Sequence, residues 1–224
     1  MKPADPHFAS NADRTLHWLQ LVEIIIQLHS WEDEEALIEI ADALACAPAL
    51  AVTVVFDHPA ALDAVRQMID RTDGHVMLGM SGIESAEDVR LAADAGAAFV
   101  LGSGYQDRLW QEARRLDVLY LPGVFTRAEV AAAYEAGLRA LFLFPAEIFG
   151  PGHLRQLQQV YPDAIFFPGV NIRGEELAAY AAAGAATAVL ELPVLGSAVW
   201  RQADIITWVR DMLRHWRAGL PEGA

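Results

Sequence analysis

Residues 118–147 of this chain, VLYLPGVFTRAEVAAAYEAGLRALFLFPAE, contain two short apolar runs separated by one alanine-rich amphipathic run. Thr126 followed by Glu129 is the pattern of a capping box at the start of a helix. Gly137 stands just past the alanine-rich run, where a helix often ends on a residue with positive φ. The stretch therefore predicts a strand, a helix and a second strand that runs parallel to the first.

The same alternation repeats along the chain. We expect a helix at about Asn11–Leu21 and then eight strands whose starts lie roughly 20–27 residues apart. The predicted strands are Glu23–Leu28, Leu50–Val55, His75–Gly79, Ala98–Leu101, Val118–Pro122, Ala140–Phe144, Ala164–Pro168 and Thr187–Leu190. This pattern favours a (β/α)8 barrel, a TIM barrel with an extra N-terminal helix, in a single domain over residues 1–224 with residues 1–10 as a tail. A doubly wound open sheet is the alternative, but no Gly-x-Gly-x-x-Gly motif follows the first strand.

Further start and stop signals mark the intervening helices. Ser30–Asp33 and Ser85–Asp88 repeat the capping-box pattern, and Gly96 and Gly184 repeat the role predicted for Gly137. The last helix, predicted at residues 199–217, carries large apolar side chains on one broad side: Trp200, Trp208, Met212 and Trp216. We expect that side to pack on the barrel or on another subunit, with an aromatic ligand site as the alternative.

The composition disfavours several classes of partner. With 16 basic and 30 acidic residues, the net charge is −14, which argues against nucleic acid and acidic membrane surfaces. No apolar run is long enough to cross a membrane and the start has no signal-peptide pattern, so we expect a cytoplasmic protein. The single Cys46 fits a reducing compartment, and its apolar surroundings predict a small buried side chain rather than a reactive thiol.

Two segments carry a family resemblance. Tyr120–Val124 with Thr126 leads through Glu135-Ala136-Gly137 to Leu141–Glu147, and Asp94–Val100 forms a second helix-to-strand match. From about Val22 to Leu190 the chain resembles the 2-keto-3-deoxy-6-phosphogluconate / 4-hydroxy-2-oxoglutarate aldolase family. The resemblance implies a compact (β/α)8 barrel, lyase chemistry on 2-keto acids through a lysine Schiff base, and a homo-oligomer that is usually a trimer.

The chain departs from that family at the positions that carry the chemistry. The resemblance places the Schiff-base lysine at Phe142, the general acid/base glutamate at Ala51 and an arginine at Val55. The family's phosphate-binding Gly-Gly-Ser is replaced by Leu190–Pro193, where a carboxylate repels phosphate and a proline removes a donor. The only lysine of the chain is Lys2, in the predicted tail. Ordinary class I aldolase activity is therefore not expected.

The remaining polar groups at the strand ends define the candidate site. The catalytic candidates are Glu147, which the family motif retains, and Asp57, which directly follows the second strand. The candidate ligand-binding residues are Thr53, Ser81, Phe142, Pro145, Asn171 and Glu191. No cluster has the spacing of a metal site and no cofactor is expected. The phenylalanines near these strand ends suggest an apolar site whose ligand is less charged than a phosphosugar acid.

Each candidate has a structural alternative. Glu147 would otherwise brace the loop after the sixth strand, and Asp57 or His58 would otherwise cap the helix that begins near Pro59. Asp57 and His58 could also join His29 and Glu191 as metal ligands. Three functions stay open: a lyase or isomerase that uses carboxylates, or a silent descendant of one; a small-molecule-binding or regulatory barrel; and the family's aldolase working through an unrecognised amine.

Overall fold

The repeated apolar and alanine-rich runs form a closed ring of strands surrounded by helices. The computed structural model describes residues 8–29, 34–46, 50–193 and 201–221, with only the backbone described at 34–39 and 50. Within these residues the strands are β1 (Ile24–Leu28), β2 (Leu50–Val55), β3 (Met77–Ile83), β4 (Phe99–Gly102), β5 (Leu119–Val124), β6 (Ala140–Leu143), β7 (Ile165–Val170) and β8 (Ala188–Glu191). The helices are α1 (Asn11–Leu19), α2 (Glu34–Ala45), α3 (Ala60–Arg71), α4 (Ala86–Asp94), α5 (Asp107–Leu116), α6 (Arg127–Glu135), α7 (Gly150–Val160), α8 (Gly174–Ala182) and α9 (Gln202–Arg217).

The strands pair in chain order and the ring closes. Each strand is parallel to the next, and Ile24 of β1 pairs with both Leu50 of β2 and Ala188 of β8. The predicted (β/α)8 barrel with an additional N-terminal helix is confirmed. Because all strands point the same way, their carboxyl-terminal ends and the loops that follow form one face, which we call the barrel mouth.

Alternate residues of each strand supply two separate apolar clusters. One cluster lies between the strands and the helices and includes Ile24, Ile26 and Val52. The other fills the barrel interior and includes Ile25, Ala51 and their counterparts on the remaining strands. Since side chains alternate along a strand, the next inward positions of β1 beyond Ile25 are Gln27 and then His29, which approach the mouth.

The predicted helix ends that fall on described residues are confirmed. Ser85 and Asp88 form a reciprocal capping box at α4, as Thr126 and Glu129 do at α6. Gly96, Gly137 and Gly184 follow their helices with φ of +95°, +96° and +93°, where a side chain would be strained. The capping pattern predicted at Ser30–Asp33 lies outside the described residues.

Three strands run at least two residues further than the sequence predicts, through segments with the composition of turns. Strand β3 continues through Ser81 to Ile83, with a register shift against β4 and a φ of +75° at Gly82. Pro122 and Pro168 end the predicted fifth and seventh strands, but β5 continues through Gly123 to Val124 and β7 through Gly169 to Val170. A Cβ on Gly123 would lie 2.6 Å from the carbonyl oxygen of Gly102, so glycine is required there by close backbone approach.

Helix α1 closes the amino-terminal end of the barrel. Its first amides donate to Asp117, with Asn11 N 2.8 Å from Oδ2 and Ala12 N 3.2 Å from Oδ1. Leu19, at its other end, is buried in the interior cluster. The barrel is thus sealed at this end, and ligand access is left to the mouth.

The large apolar side chains of the last helix pack as the sequence predicts. Met212 and Trp216 of α9 are buried and Trp208 is partly buried, as predicted for a packing face, while Trp200 lies outside the described residues.

The prediction that Cys46 is buried is wrong: it is exposed on the turn that follows α2, because the helix ends at Ala45. None of the helices in the described part of the chain is long and apolar enough to span a bilayer.

Candidate functional site

A cavity of about 300 Å³ opens at the barrel mouth. Its wall consists of residues from seven strands and the loops that follow them: Gln27, His29, Val55, Ser81, Gly82, Leu101, Gly102, Ser103, Phe142, Phe144, Val170, Asn171 and Glu191. The wall combines apolar side chains with a few polar groups. This is the usual composition of a site for a small organic molecule.

His29 lies between two carboxylates at the edge of the cavity. Its Nδ1 is 3.3 Å from Oδ2 of Asp57, and its Nε2 is 3.0 Å from Oε1 of Glu191. A carboxylate only accepts, so both hydrogen bonds are made together only when the ring donates from both nitrogens, as imidazolium does. The arrangement joins the loops after β1 and β2 to the end of β8 and places a proton donor beside the cavity.

This arrangement does not form a metal site, which was the alternative for these residues. The two carboxylates contact opposite nitrogens of one ring, so the three groups do not converge on a single point. No cluster of three or more histidine, cysteine or acidic side chains suited to a metal ion occurs within the described residues. His58 instead acts at the start of α3, where its Nδ1 accepts from Ala60 N at 3.2 Å.

Phe142 and Phe144 form the aromatic part of the wall. Phe142 lies on β6 and Phe144 directly after it, and their rings are stacked with centroids 5.2 Å apart and planes 10° from parallel. Phe142 is 4% exposed, and a Cβ on Gly169 would come within 2.9 Å of its ring. The position that the family resemblance assigns to the Schiff-base lysine is therefore filled by an aromatic ring packed against the backbone of β7.

Two buried hydroxyl groups on β2 and β3 have no hydrogen-bond partner among the described residues. Ser81 is 3% exposed and lines the cavity, whereas Thr53 is fully buried and is not part of the wall. A buried polar atom without a partner costs free energy, and such atoms often mark a site where a ligand completes the hydrogen bonding. Ser81 is placed to meet a bound molecule directly, and Thr53 lies deeper.

Glu147 and Pro145 lie beside the cavity rather than in its wall. Oε1 of Glu147 accepts from Nδ2 of Asn171 at 3.4 Å, while its Oε2 is buried without a partner. The turn that carries Glu147 is braced by Tyr180, whose hydroxyl donates to the carbonyl of Ala146 at 2.8 Å. Burial, with the nearby charges of Glu176 and Glu147, raises the pKa of Tyr180 to about 12, which keeps this donor protonated at neutral pH.

The loop after β4 accepts a hydrogen bond from a buried tyrosine and carries a serine that contacts a carboxylate. The hydroxyl of Tyr120 donates to the carbonyl of Gly104 at 2.6 Å, and burial raises the pKa of Tyr120 well above its usual value. At the top of the same loop, Ser103 Oγ donates to Oε1 of Glu84 at 3.4 Å. This places a further carboxylate next to the cavity wall.

The segment after β8 has no free donor at its first position. The amide of Leu192 donates to the carbonyl of Gln27 at 2.9 Å, and Pro193 has no amide hydrogen. Glu191 points its carboxylate toward His29 from the end of β8. These features do not fit a backbone cradle for phosphate.

The structure brings together most of the predicted site residues. Ser81, Phe142, Asn171 and Glu191 line one cavity, and Asp57 reaches it through His29. Gln27, His29, Ser103 and Phe144 also line it; the sequence places them at the strand ends, with His29 as an alternative metal ligand, but does not single them out as ligand-binding residues. Gln27 on β1 and His29 just after it occupy alternate positions beyond the inward-facing Ile25, and this spacing is the signal that directs them to the mouth.

Comparison with known proteins agrees with this fold and locates the chain in a family. The family model described as KDPG and KHG aldolase matches residues 14–206. The chain belongs to the KDPG and KHG aldolase family. The 2-dehydro-3-deoxy-phosphogluconate aldolase of Pseudomonas aeruginosa is 33% identical over 133 residues, which are 58% of this chain and 60% of that protein. The protein of the same description from Haemophilus influenzae is 29% identical over 127 residues, 56% of this chain and 59% of that one.

The matches to curated relatives of the family span about 60% of their length or less. The crystal structure of a 4-hydroxy-2-oxoglutarate/2-dehydro-3-deoxyphosphogluconate aldolase from TTHB1 has a TM-score of 0.78 and 28% identity, covering 89% of this chain and 98% of that one. The 2-keto-3-deoxy-6-phosphogluconate aldolase of Zymomonas mobilis ZM4, determined with 3-phosphoglycerate, has a TM-score of 0.81 at 24% identity, covering 92% and 97%. At that identity the likeness shows the fold alone.

Proposed function

We propose that this protein is a divergent member of the KDPG and KHG aldolase family that binds a small molecule at the barrel mouth without forming a Schiff base. The observation that carries the proposal is the ring of Phe142, which is buried in the barrel interior and stacked on Phe144. Schiff-base chemistry requires a deprotonated amine close to the substrate carbonyl. The sequence has no lysine beyond Lys2, which lies outside the described residues.

The other departures from the family pattern support the same conclusion. Ala51, at the position of the family's glutamate, is fully buried in the interior cluster and carries no acid or base. Val55, at the position of the arginine, contributes an apolar group to the cavity wall. In the described part of the segment after β8, the amide of Leu192 is already bonded to Gln27 and Pro193 has no amide hydrogen to offer a phosphate. A phosphorylated 2-keto sugar acid would therefore meet few of the groups that it needs.

A second candidate function is acid–base catalysis by a lyase or isomerase, and the contacts of His29 favour it. A histidine held by carboxylates has a fixed orientation and can deliver or remove a proton at the cavity edge. Asp57 and Glu191 would act as positioning residues for that ring. This function requires turnover, whereas a binding or regulatory barrel would hold its ligand unchanged, so product analysis with a bound ligand separates the two.

Reductive trapping tests the central proposal. The protein is incubated with pyruvate and borohydride and its intact mass is measured, with a lysine-bearing member of the family as the positive control. We expect no gain in mass, because no lysine occurs among the described residues that line the cavity. A stoichiometric adduct that Lys2→Arg abolishes would overturn the proposal, since the tail would then have to supply the reactive amine.

The proposed assembly rests on the family resemblance alone. We propose a homotrimer located in the cytoplasm, with a small molecule as the ligand and no bound cofactor. The acidic balance of the chain supports the absence of nucleic acid and of acidic membranes among its partners. Light scattering coupled to size exclusion tests the trimer directly, and a monomer mass would refute it.

A further inference from the structure

Four carboxylates surround the cavity at the barrel mouth. Glu191 lines it, and three others each contact a wall residue: Asp57 contacts His29, Glu84 accepts from Ser103, and Glu147 accepts from Asn171. They follow β2, β3, β6 and β8, so they approach the cavity from different sides. We call these four residues the rim carboxylates.

The positive charges available to balance this rim are few. Among the described residues that line the cavity, His29 is the one that can carry a positive charge, and there is no lysine or arginine. Arg173, two residues after the wall residue Asn171, is paired with Glu175 and Glu176 at 3.2 Å each. His29 is shared by Asp57 and Glu191, while Glu84 and Glu147 contact the neutral residues Ser103 and Asn171, so negative charge predominates among these groups. The net charge of −14 adds to the same potential.

The interior of the cavity supplies contacts that suit a cation with a flat apolar body. Phe144, which stacks on the buried Phe142 ring and is 37% exposed, presents aromatic surface to the cavity, and the negative face of such a ring attracts a positive group. Ser81 adds a buried hydroxyl without a partner, which can accept a hydrogen bond from an N–H group. Carboxylates at the rim and an aromatic wall below them thus converge on one small volume.

We infer that the barrel mouth binds a small organic cation, of the protonated amine or amidinium class, rather than a phosphorylated sugar acid. The inference rests on the proposed function, because it names the ligand class of the same site. The cation would contact the Phe142 and Phe144 rings and donate to Glu191 and Ser81. An anion would meet the rim carboxylates, and the basic group in the described wall, His29, is already paired with Asp57 and Glu191.

Three matched probes test the inference by titration calorimetry: benzamidinium, benzamide and benzoate, which share one ring and differ in charge. We expect benzamidinium to bind most tightly, benzamide more weakly and benzoate least. Glu191→Gln is expected to weaken benzamidinium roughly tenfold and to leave benzamide within about twofold, since only the cation loses an ionic contact. Glu84→Gln provides a second rim variant in case Glu191→Gln does not fold.

Glu135→Gln is the control for overall charge. Glu135 is the last residue of α6, on the opposite end of the barrel from the mouth, and its replacement changes the net charge by the same amount. Any other order of the three probes, or an absence of saturable benzamidinium binding, overturns the inference. An equal effect of Glu191→Gln and Glu135→Gln would also overturn it, because the cation would then respond to net charge alone. The pyruvate experiment is independent, so this inference can fail while the proposed function survives.

Discussion

Single residues set the shape of the mouth through close backbone contacts. Gly123 lies where an added Cβ would come within 2.6 Å of the Gly102 carbonyl oxygen and 2.8 Å of the Ser103 carbonyl oxygen. Both neighbours are backbone atoms of the loop that forms one side of the cavity, so they cannot rotate away. We expect Gly123→Ala to lower the free energy of unfolding by about 1–3 kcal/mol, as overpacking does in other cores.

Gly152 provides the matched control for that substitution. It lies near the start of α7 and a Cβ there would meet nothing within 4 Å. Alanine is the better helix former, so Gly152→Ala is expected to leave stability unchanged or raise it by up to about 1 kcal/mol. Urea unfolding of both variants gives the comparison. Equal stability of the two variants would mean that the loop after β4 adapts to the extra methyl group.

At the scale of helices and strands, the capping box of α6 makes the stability of the folded protein depend on pH. Oγ1 of Thr126 accepts from Glu129 N at 3.3 Å, and the Glu129 carboxylate accepts from Thr126 N at 2.7 Å and Phe125 N at 3.0 Å. Hydrogen bonds from the Thr126 amide and hydroxyl and from the Phe125 amide hold the pKa of Glu129 below its usual value. We expect Thr126→Ala to cost about 1 kcal/mol of unfolding free energy.

The sign of the pH effect follows from the lowered pKa of Glu129. The ionised carboxylate is favoured in the folded state, so its stabilisation is present above the pKa of the unfolded chain and is lost as the pH falls through the folded-state pKa. The stability difference between the wild type and Glu129→Gln should therefore shrink in acid. Denaturant unfolding at several pH values measures it, with Glu135→Gln at the other end of α6 as the control. A difference that is constant with pH would show that the cap does not depend on the charge.

The ends of the helices can be predicted from the sequence better than the ends of the strands. Helix ends were predictable where a single residue determines the backbone, as at Thr126 and Gly137, because capping and positive φ are local properties. The ends of β3, β5 and β7 were not, because Gly82, Pro122-Gly123 and Pro168-Gly169 have the composition of turns. These segments stay in the sheet through pairing with neighbouring strands, which is information from outside the segment.

In the candidate site, features carried by one segment of sequence can be predicted, whereas the detailed contacts between distant segments cannot. That Phe142 stands where the family has its lysine is a prediction from one aligned motif, carried by a single segment of sequence. The grouping of Asp57, His29 and Glu191 is predicted only as a possible metal site, and their pairing through the two ring nitrogens is not predicted, because 28 residues separate the first pair and 162 the second. Only closure of the barrel, which sets β1 between β2 and β8, brings these side chains together.

For the whole molecule, a buried side chain links the segment before β8 to the end of α1 and the segment between α1 and β1, at the end of the barrel opposite the mouth. We call this contact the joint. The hydroxyl of Thr187, just before β8, lies 2.7 Å from the carbonyl oxygen of Leu19 and 2.9 Å from that of Val22, just before β1. The hydroxyl is fully buried and holds α1 against the closed end of the barrel. Thr187→Val keeps the shape of the side chain and leaves buried carbonyl groups without this donor.

We expect Thr187→Val to reduce stability by about 1–3 kcal/mol, the usual cost of a buried polar group left without its partner. We also expect faster amide hydrogen exchange in α1 than in α6, because the substitution loosens the joint and not the sheet as a whole. Thr207→Val is the control, since its exposed hydroxyl donates only within α9, to the Ala203 carbonyl at 2.7 Å. Uniformly faster exchange in all helices would instead mean that the joint belongs to the global unfolding unit, and that the barrel opens only as a whole.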